Sequence, residues 1–409
     1  MTCSSSQLEH EIKKLIKTVD SFELSTGEFN FYAPVRNRKN TRYNIEVLPN
    51  DIYSGTLGVL ITQAAYSQLA GNEELERKVC SKIEKLFAEE FHNKRGSSVL
   101  DLSFTQGLAG FIQSTIIIAK ILGKEELPEM ALSAVQDVPD EYLTRCLEND
   151  FFSGMAGTLY YFSKLYHMMP NPKLKEKIEI ISLELLDRSI KDDSGRKLWH
   201  ASNEYKPLTG LAHGQSGIAI ALLNAWDIIE VPQLREIAES LIEYETTCFS
   251  NKEGNWFDFR KFNVKLRGFE GNNNYEPRFM YGYCSGAPGI GLARIIASRN
   301  TNSLKYEVDI RRAIEFCKNK SIIGNDSLCC GSSAWIDLLV EASLYYEDEE
   351  LLDIASEICA AIIPKKNHKG YIISSLNGTA DISLFKGYSG IAYQFMRVLD
   401  PKKIPSIII

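Results

Sequence analysis

Cys284 and the adjacent pair Cys329-Cys330 are the residues whose type and placement promise chemistry. Cys284 lies in Tyr-Cys-Ser-Gly-Ala-Pro-Gly and the pair in Leu-Cys-Cys-Gly, each just before a glycine that opens an apolar, helix-like run. Thiolates are good zinc ligands, and a zinc site with three protein ligands keeps its fourth position open for substrate. Closed structural sites commonly show two spaced pairs of ligands, and no second pair occurs here. The pattern therefore favours an open catalytic site. The nine cysteines are odd in number and no export signal precedes them. A reducing cytoplasm is expected, with metal binding or catalysis preferred to disulfides for the clustered set. Cys80, Cys317 and Cys359 fall in amphipathic helical patterns and read as packing residues.

The elements that must position these thiols come from an internal repeat. A Gly-x-x-Gly step recurs at Gly55/Gly58, Gly107/Gly110, Gly154/Gly157, Gly214/Gly217, Gly286/Gly289 and Gly387/Gly390, with a seventh at Gly331 where Ala334 takes the second place. Each step leads into a run that is apolar nearly all round, as in Gly217-Ile-Ala-Ile-Ala-Leu-Leu, which suits a helix buried on most sides. A charged amphipathic segment follows, for example at Asn72 to Phe91, Lys173 to Ile190 or Pro232 to Phe249. An apolar inner helix and an amphipathic outer helix, repeated seven times, predict an all-α fold. The predicted architecture is an α/α toroid (barrel) of seven inner and seven outer helices. If the repeats run the same way, seven helix N-termini share one end, where their free N–H groups favour thiolates.

Residues 1–49 stand apart as an N-terminal helix (Leu8 to Val19) and a polar linker or cap, and the toroid domain is set at 50–409. The stretch Gly254 to Asn274 reads as an extended loop or small hairpin near the cavity mouth. Of the 409 residues, 44% are apolar and 24% charged, as in an ordinary globular protein. A net charge of -7 and the lack of a Lys/Arg block argue against a nucleic-acid partner. The longest apolar stretch, Phe111 to Leu122, is short and interrupted by Gln113, Ser114, Thr115 and Lys120, so no transmembrane segment is expected.

Asp150 in Asp-Phe-Phe-Ser-Gly154, His213 in Gly-Leu-Ala-His-Gly214, Cys284 and the Cys329-Cys330 pair all sit shortly before the first glycine of a repeat. Together these motifs resemble the lanthionine synthetase C-like (LanC-like) cyclases, from Asn50 to Ile409. The Cys-Cys-Gly form and the ending Leu-Asp-Pro-Lys-Lys-Ile-Pro-Ser-Ile-Ile-Ile are most similar to the C-terminal cyclase domain of the class II lanthipeptide synthetases (LanM). The resemblance implies a toroid with a central zinc site. It implies a lanthionine synthetase that adds peptide cysteine thiolates to dehydroalanine or dehydrobutyrine, forming lanthionine or methyllanthionine rings. One Zn2+ per chain would be held by Cys284, Cys329 and Cys330. His213 would protonate the enolate, since histidine ionises near neutral pH, and Asp150 would orient it. Asp150 also reads as a plain helix cap.

The partner implied is a dehydrated precursor (leader-core) peptide. With no kinase-like Gly-rich loop, dehydration is expected from a separate dehydratase or from the missing dehydratase region of a larger synthetase. Ser285 departs from the Tyr or His common after the first zinc cysteine. Ser285 and Arg278 are the substrate-contact candidates. His200, next to Trp199, reads as a loop residue. Two alternatives stand beside ring closure: addition of glutathione to dehydroamino acids in proteins, and a degenerate LanC-like module that binds peptide beside a dehydratase. A carbohydrate-active toroid would need paired carboxylates, and none falls on the repeat motifs.

Overall fold

The computed structural model describes residues 3–24, 30–36, 43–92, 100–200, 204, 206–260, 278–319, 321, 324–364, 370–373 and 381–409. In chain order the described helices are α1 (Ser5–Asp20), α2 (Thr56–Ala70), α3 (Glu73–Phe87), α4 (Leu108–Leu122), α5 (Leu127–Gln136), the single turn α6 (Asp140–Leu143), α7 (Met155–Met168), α8 (Pro172–Asp187), α9 (Gln215–Ile229), α10 (Pro232–Thr247), α11 (Ala287–Thr301), α12 (Glu307–Asn319), α13 (Ser332–Tyr346), α14 (Glu349–Ile362) and α15 (Tyr388–Leu399). They belong to two compact units. The first comprises Met1–Asp101, Thr105–Asp137 and Ser321–Ile409, the second Leu102–Phe104 and Val138–Lys320.

In the first unit the apolar helices α13, α15, α2 and α4 pack side by side in that order. An amphipathic helix covers each: α14 on α13, α1 on α15, α3 on α2 and α5 on α4. In the second unit α7, α9 and α11 form the apolar row, covered by α8, α10 and α12. The inner helices are buried almost end to end; in α4 every residue from Leu108 to Ala119 is buried. The covers bury one stripe, such as Val79, Ile83, Leu86 and Phe87 of α3. They start on polar caps: the side chains of Asn72, Asn171 and Asp348 accept backbone N–H groups of the first turns of α3, α8 and α14.

The N-terminal segment, which reads in the sequence as a helix and a polar linker or cap, supplies one of these covers. Leu8, Ile12, Leu15, Ile16 and Val19 of α1 are buried, and α1 lies on the last inner helix, α15. Short strands occur outside the helical pattern. Tyr32–Arg36 pairs antiparallel with Tyr43–Val47. In the second unit Ile190–Lys191 pairs with Lys197–Leu198, and Phe249–Ser250, Asn255–Asp258 and Arg278–Phe279 form a three-stranded sheet. Of the stretch Gly254 to Asn274, expected as an extended loop or small hairpin, Asn255–Asp258 is a strand, and residues 261–274 lie outside the described set.

The recurring glycines have distinct jobs. At six of the seven described inner helices the first helical N–H reaches back seven residues to a carbonyl. The pairs are Thr56 to Pro49, Leu108 to Asp101, Met155 to Glu148, Gln215 to Leu208, Ser332 to Asn325 and Tyr388 to Asp381. At five of the second glycines a side chain from a neighbouring repeat takes the place of the missing Cβ. A Cβ at Gly58 would stand 2.6 Å from Leu384 Cβ, and one at Gly217 would stand 2.5 Å from Phe151 Cβ. Leu328 meets Gly390, Phe104 meets Gly157 and Leu211 meets Gly289 in the same way. Each inserting residue lies three positions before the first glycine of its own repeat. Adjacent repeats therefore interlock through one apolar side chain and one missing Cβ.

Candidate functional site

His213 rides on the turn before α9. His213 Nδ1 lies 2.8 Å from Asp150 Oδ2, on the turn before α7. Ser153 N–H donates to Asp150 Oδ1 at 2.6 Å. Asp51 holds the corresponding place before α2. Its Oδ1 accepts Ser54 N–H at 2.6 Å and its Oδ2 accepts Ser54 Oγ at 3.2 Å. Both carboxylates cap their turn, and Asp150 alone of the two reaches a histidine. The N–H groups of Phe151 and Phe152 both donate to Ala212 O at 3.1 Å, so the two turns are fixed to each other. Among the described residues His213 Nε2 has no hydrogen-bond partner, and the side chain is 34% exposed.

The His213 turn is held from beneath by buried charge. Glu245 of α10 accepts Gly210 N–H at 2.8 Å and Ser216 N–H at 2.9 Å on one oxygen, and Ser216 Oγ on the other. Arg294 of α11 pairs with Glu245 and with Asp309 of α12, each at 3.1 Å. All three side chains are essentially excluded from solvent. Burial pushes the Glu245 carboxyl above the usual carboxylate range, and Arg294 opposes that shift.

Cys284 lies in the same unit, on the turn before α11. This turn departs from the common pattern. Gly286 has φ +107°, a conformation that favours glycine, and Ala287 N–H donates to the Asn255 side chain at 2.8 Å. Asn255 also donates to Met280 O at 2.8 Å, so it clips both ends of the turn. Gly210, at φ +108°, lies directly against the turn; a Cβ there would be 2.6 Å from Cys284 O. The Cys284 and His213 turns therefore touch through backbone. Ser285 is buried, with its Oγ 3.4 Å from Thr209 Oγ1.

Cys329 and Cys330 belong to the first unit, on the turn before α13. Their Sγ atoms are 3.4 Å apart. That is far beyond a disulfide bond of about 2.05 Å. It is close to the separation of roughly 3.8 Å that two sulfurs adopt on one tetrahedral zinc. The donor chemistry and spacing of this pair fit zinc. Cys329 N–H donates to Phe385 O at 2.8 Å, and Phe385 N–H to Tyr53 O at 3.2 Å. The Tyr53 ring stacks on Phe385, centroids 4.9 Å apart, and its hydroxyl donates to Cys329 Sγ at 3.1 Å.

A sequence model of the family described as "Lanthionine synthetase C-like protein" matches residues 46–409. The chain belongs to the lanthionine synthetase C-like family. This LanC-like chain is 23% identical over 378 residues to the lacticin 481/lactococcin biosynthesis protein LcnDR2 of Lactococcus lactis subsp. lactis. The match covers 89% of the chain and 37% of that relative, so the chain spans little over a third of its length. The fold is that of nisin cyclase, with TM-score 0.64 at 13% identity over 97% of this chain and 95% of that one. The GH76 α-mannanase of Bacteroides thetaiotaomicron is similar in fold, with TM-score 0.51 at 13% identity over 97% and 96% of the two chains.

The other residues singled out in the LanC-like sequence take these places. Arg278 opens the short strand paired with Asp258 of the neighbouring strand. His200 is an exposed loop residue whose Nε2 is 3.1 Å from Glu204 O. Cys317 and Cys359 are buried, and burial pushes both thiols far up. No described helix is long and apolar enough to cross a membrane. Tyr53, Glu245, Arg294 and Asn255 were not among the sequence candidates. Arg294 carried a signal, because it interrupts the apolar run Gly-Leu-Ala-Arg-Ile-Ile. Tyr53 carried a subtler one: it stands two residues before the first glycine of its repeat, the position of Cys284 and Cys329 in theirs.

Proposed function

We propose that this LanC-like protein closes thioether rings in a dehydrated precursor peptide, with one zinc ion held by Cys284, Cys329 and Cys330 and the helices closed as an α/α toroid. The observation that carries the reading is the Cys329–Cys330 pair, with sulfurs 3.4 Å apart, in a chain of this family. Cys284 is the third ligand because its turn occupies the corresponding place before its inner helix. When bound, zinc would supply a peptide cysteine as a thiolate at the position that three protein thiolates leave open.

The reaction is an addition. A bond forms between the peptide sulfur and the β carbon of dehydroalanine or dehydrobutyrine, the C=C π bond breaks, and the α carbon must gain a proton. His213 supplies that proton. With Nδ1 held by Asp150, Nε2 is the nitrogen that exchanges protons with substrate. Asp150 fixes the ring plane and balances the imidazolium charge. In this reading Arg278 and Ser285 serve the substrate, Arg278 by direct contact and Ser285 through the turn it shares with Cys284. A separate dehydratase, or a dehydratase region such as a longer synthetase would carry, provides the dehydrated peptide. We assign the protein to the cytoplasm, whose reducing conditions keep thiolate ligands available.

Ring closure leaves the peptide mass unchanged, so the test counts thiols. A peptide with one cysteine and one dehydroalanine, incubated with the protein, should lose its maleimide-reactive thiol with no change in mass. Cys330→Ala should abolish the loss. A thiol that stays reactive, or a peptide that takes up added glutathione and stays linear, would sink the proposal.

A further inference from the structure

We infer that Tyr53 is a positioning residue that restrains the Cys329 sulfur, directing alkene addition to the peptide thiolate and away from the protein's own ligand. The inference rests on the proposed zinc reading. Four thiolates sharing one cation would each be a candidate nucleophile toward dehydroalanine. Attack by a protein ligand would join the Cys329 sulfur to the alkene β carbon, leave the α carbon protonated, and end the enzyme's life as a covalent adduct. Selection therefore requires that protein sulfurs be less reactive than the peptide sulfur.

The geometry supplies that difference at Cys329. The Tyr53 hydroxyl donates to Cys329 Sγ at 3.1 Å. A donor hydrogen draws electron density from the sulfur lone pair it faces, and hydrogen bonds around a metal site both orient a ligand and tune it. The phenol is itself held in place. Its ring stacks on Phe385 with planes 16° apart, and Lys386 Nζ lies 5.0 Å from the ring centroid on the same chain segment. The backbones of the three residues are tied by Cys329 N–H to Phe385 O and Phe385 N–H to Tyr53 O. A surface tyrosine meeting a thiol by chance would not show a stacking platform that is itself hydrogen-bonded through its backbone to both the tyrosine and the cysteine.

The test alkylates the full-length protein with iodoacetamide at about pH 9, between the ordinary ranges of a cysteine thiol and a tyrosine hydroxyl, so that the phenol keeps its donor hydrogen. Modified sites are mapped by mass spectrometry, and zinc is measured in the same samples. Tyr53→Phe keeps the stacked ring and removes the hydroxyl. The expected result is alkylation of Cys329 about fivefold faster in the variant, the kinetic equivalent of one ordinary net hydrogen bond. The folding control is a cooperative melt matching wild type, because Cys329 is itself buried and burial alone does not set it apart from Cys317 or Cys359. An unchanged Cys329 rate overturns the inference, whatever the zinc content. Zinc missing from wild type defeats the zinc reading separately, because the Cys329 rate ratio still reports on the hydrogen bond. Should Tyr53→Phe melt without cooperativity, Tyr53→His, which offers an N–H donor on a flat ring, serves as the second variant. Slow Cys329 alkylation in Tyr53→His beside fast alkylation in Tyr53→Ala supports the inference, and equal rates overturn it.

Discussion

At the residue scale the pair Asp150 and His213 separates a structural role from a chemical one. Asp150→Asn keeps an oxygen for Ser153 N–H, so the turn cap survives while the negative charge beside His213 is lost. The expected outcome is an unchanged Tm with ring closure slowed by about tenfold or more, read by thiol loss. His213→Asn removes the acid and should slow closure by roughly 10²- to 10⁴-fold. Asp51→Asn, the same change at a cap with no histidine, should leave the rate near wild type; an equal loss there would mean that Asp150 acts only as a cap. The three cysteines were legible from their own residue types, because thiols clustered before glycines have few other uses. The partnership of Asp150 and His213 was legible only through family resemblance, since 63 residues separate them and either has an ordinary structural use. Tyr53 was not legible, because a tyrosine before a helix is common and only the register shared with Cys284 and Cys329 marks it.

At the element scale the repeat glycines make the fold both readable and fragile. Gly217→Ala would place a Cβ 2.1 Å from Leu211 O and 2.5 Å from Phe151 Cβ. Backbone cannot yield cheaply there, and the expected loss is roughly 2–4 kcal/mol in a denaturant melt. Gly123→Ala meets no atom within 4 Å but has φ +68°, so about 1 kcal/mol is expected from backbone strain alone. A second element-level prediction concerns Asp326, on the turn leading to Cys329. Burial raises its carboxyl from 3.8 to about 6, partly offset by Ile372 N–H. The folded state then holds a proton that the unfolded chain releases, so stability is lost as pH rises from about 4 through about 6. Asp326→Asn keeps an acceptor for Ile372 N–H and should be more stable than wild type by roughly 1–3 kcal/mol at about pH 7.5, with the gap closing near pH 4. A gap that grows toward low pH would contradict this. The alternation of apolar and amphipathic helices was legible because its period is local. The placement of α1 on α15 was not, because an amphipathic helix shows which face it buries and never which partner it will meet.

At the scale of the whole molecule, family membership covers residues 46–409 and the fold is shared with nisin cyclase, while the chain matches little over a third of its longer Lactococcus relative. A shared fold alone does not decide chemistry: a mannanase is similar in fold as well, at TM-score 0.51. The thiols distinguish the readings, so metal content is the most direct test of the account. Zinc should be measured by elemental analysis on purified wild type beside Cys284→Ala and Cys330→Ala, with each variant checked for a cooperative melt. Wild type should carry about one zinc per chain, as for an open three-cysteine site, and both variants should lose it. Folded wild type without zinc after expression in zinc-supplemented medium would contradict it, as would full zinc retention in either variant.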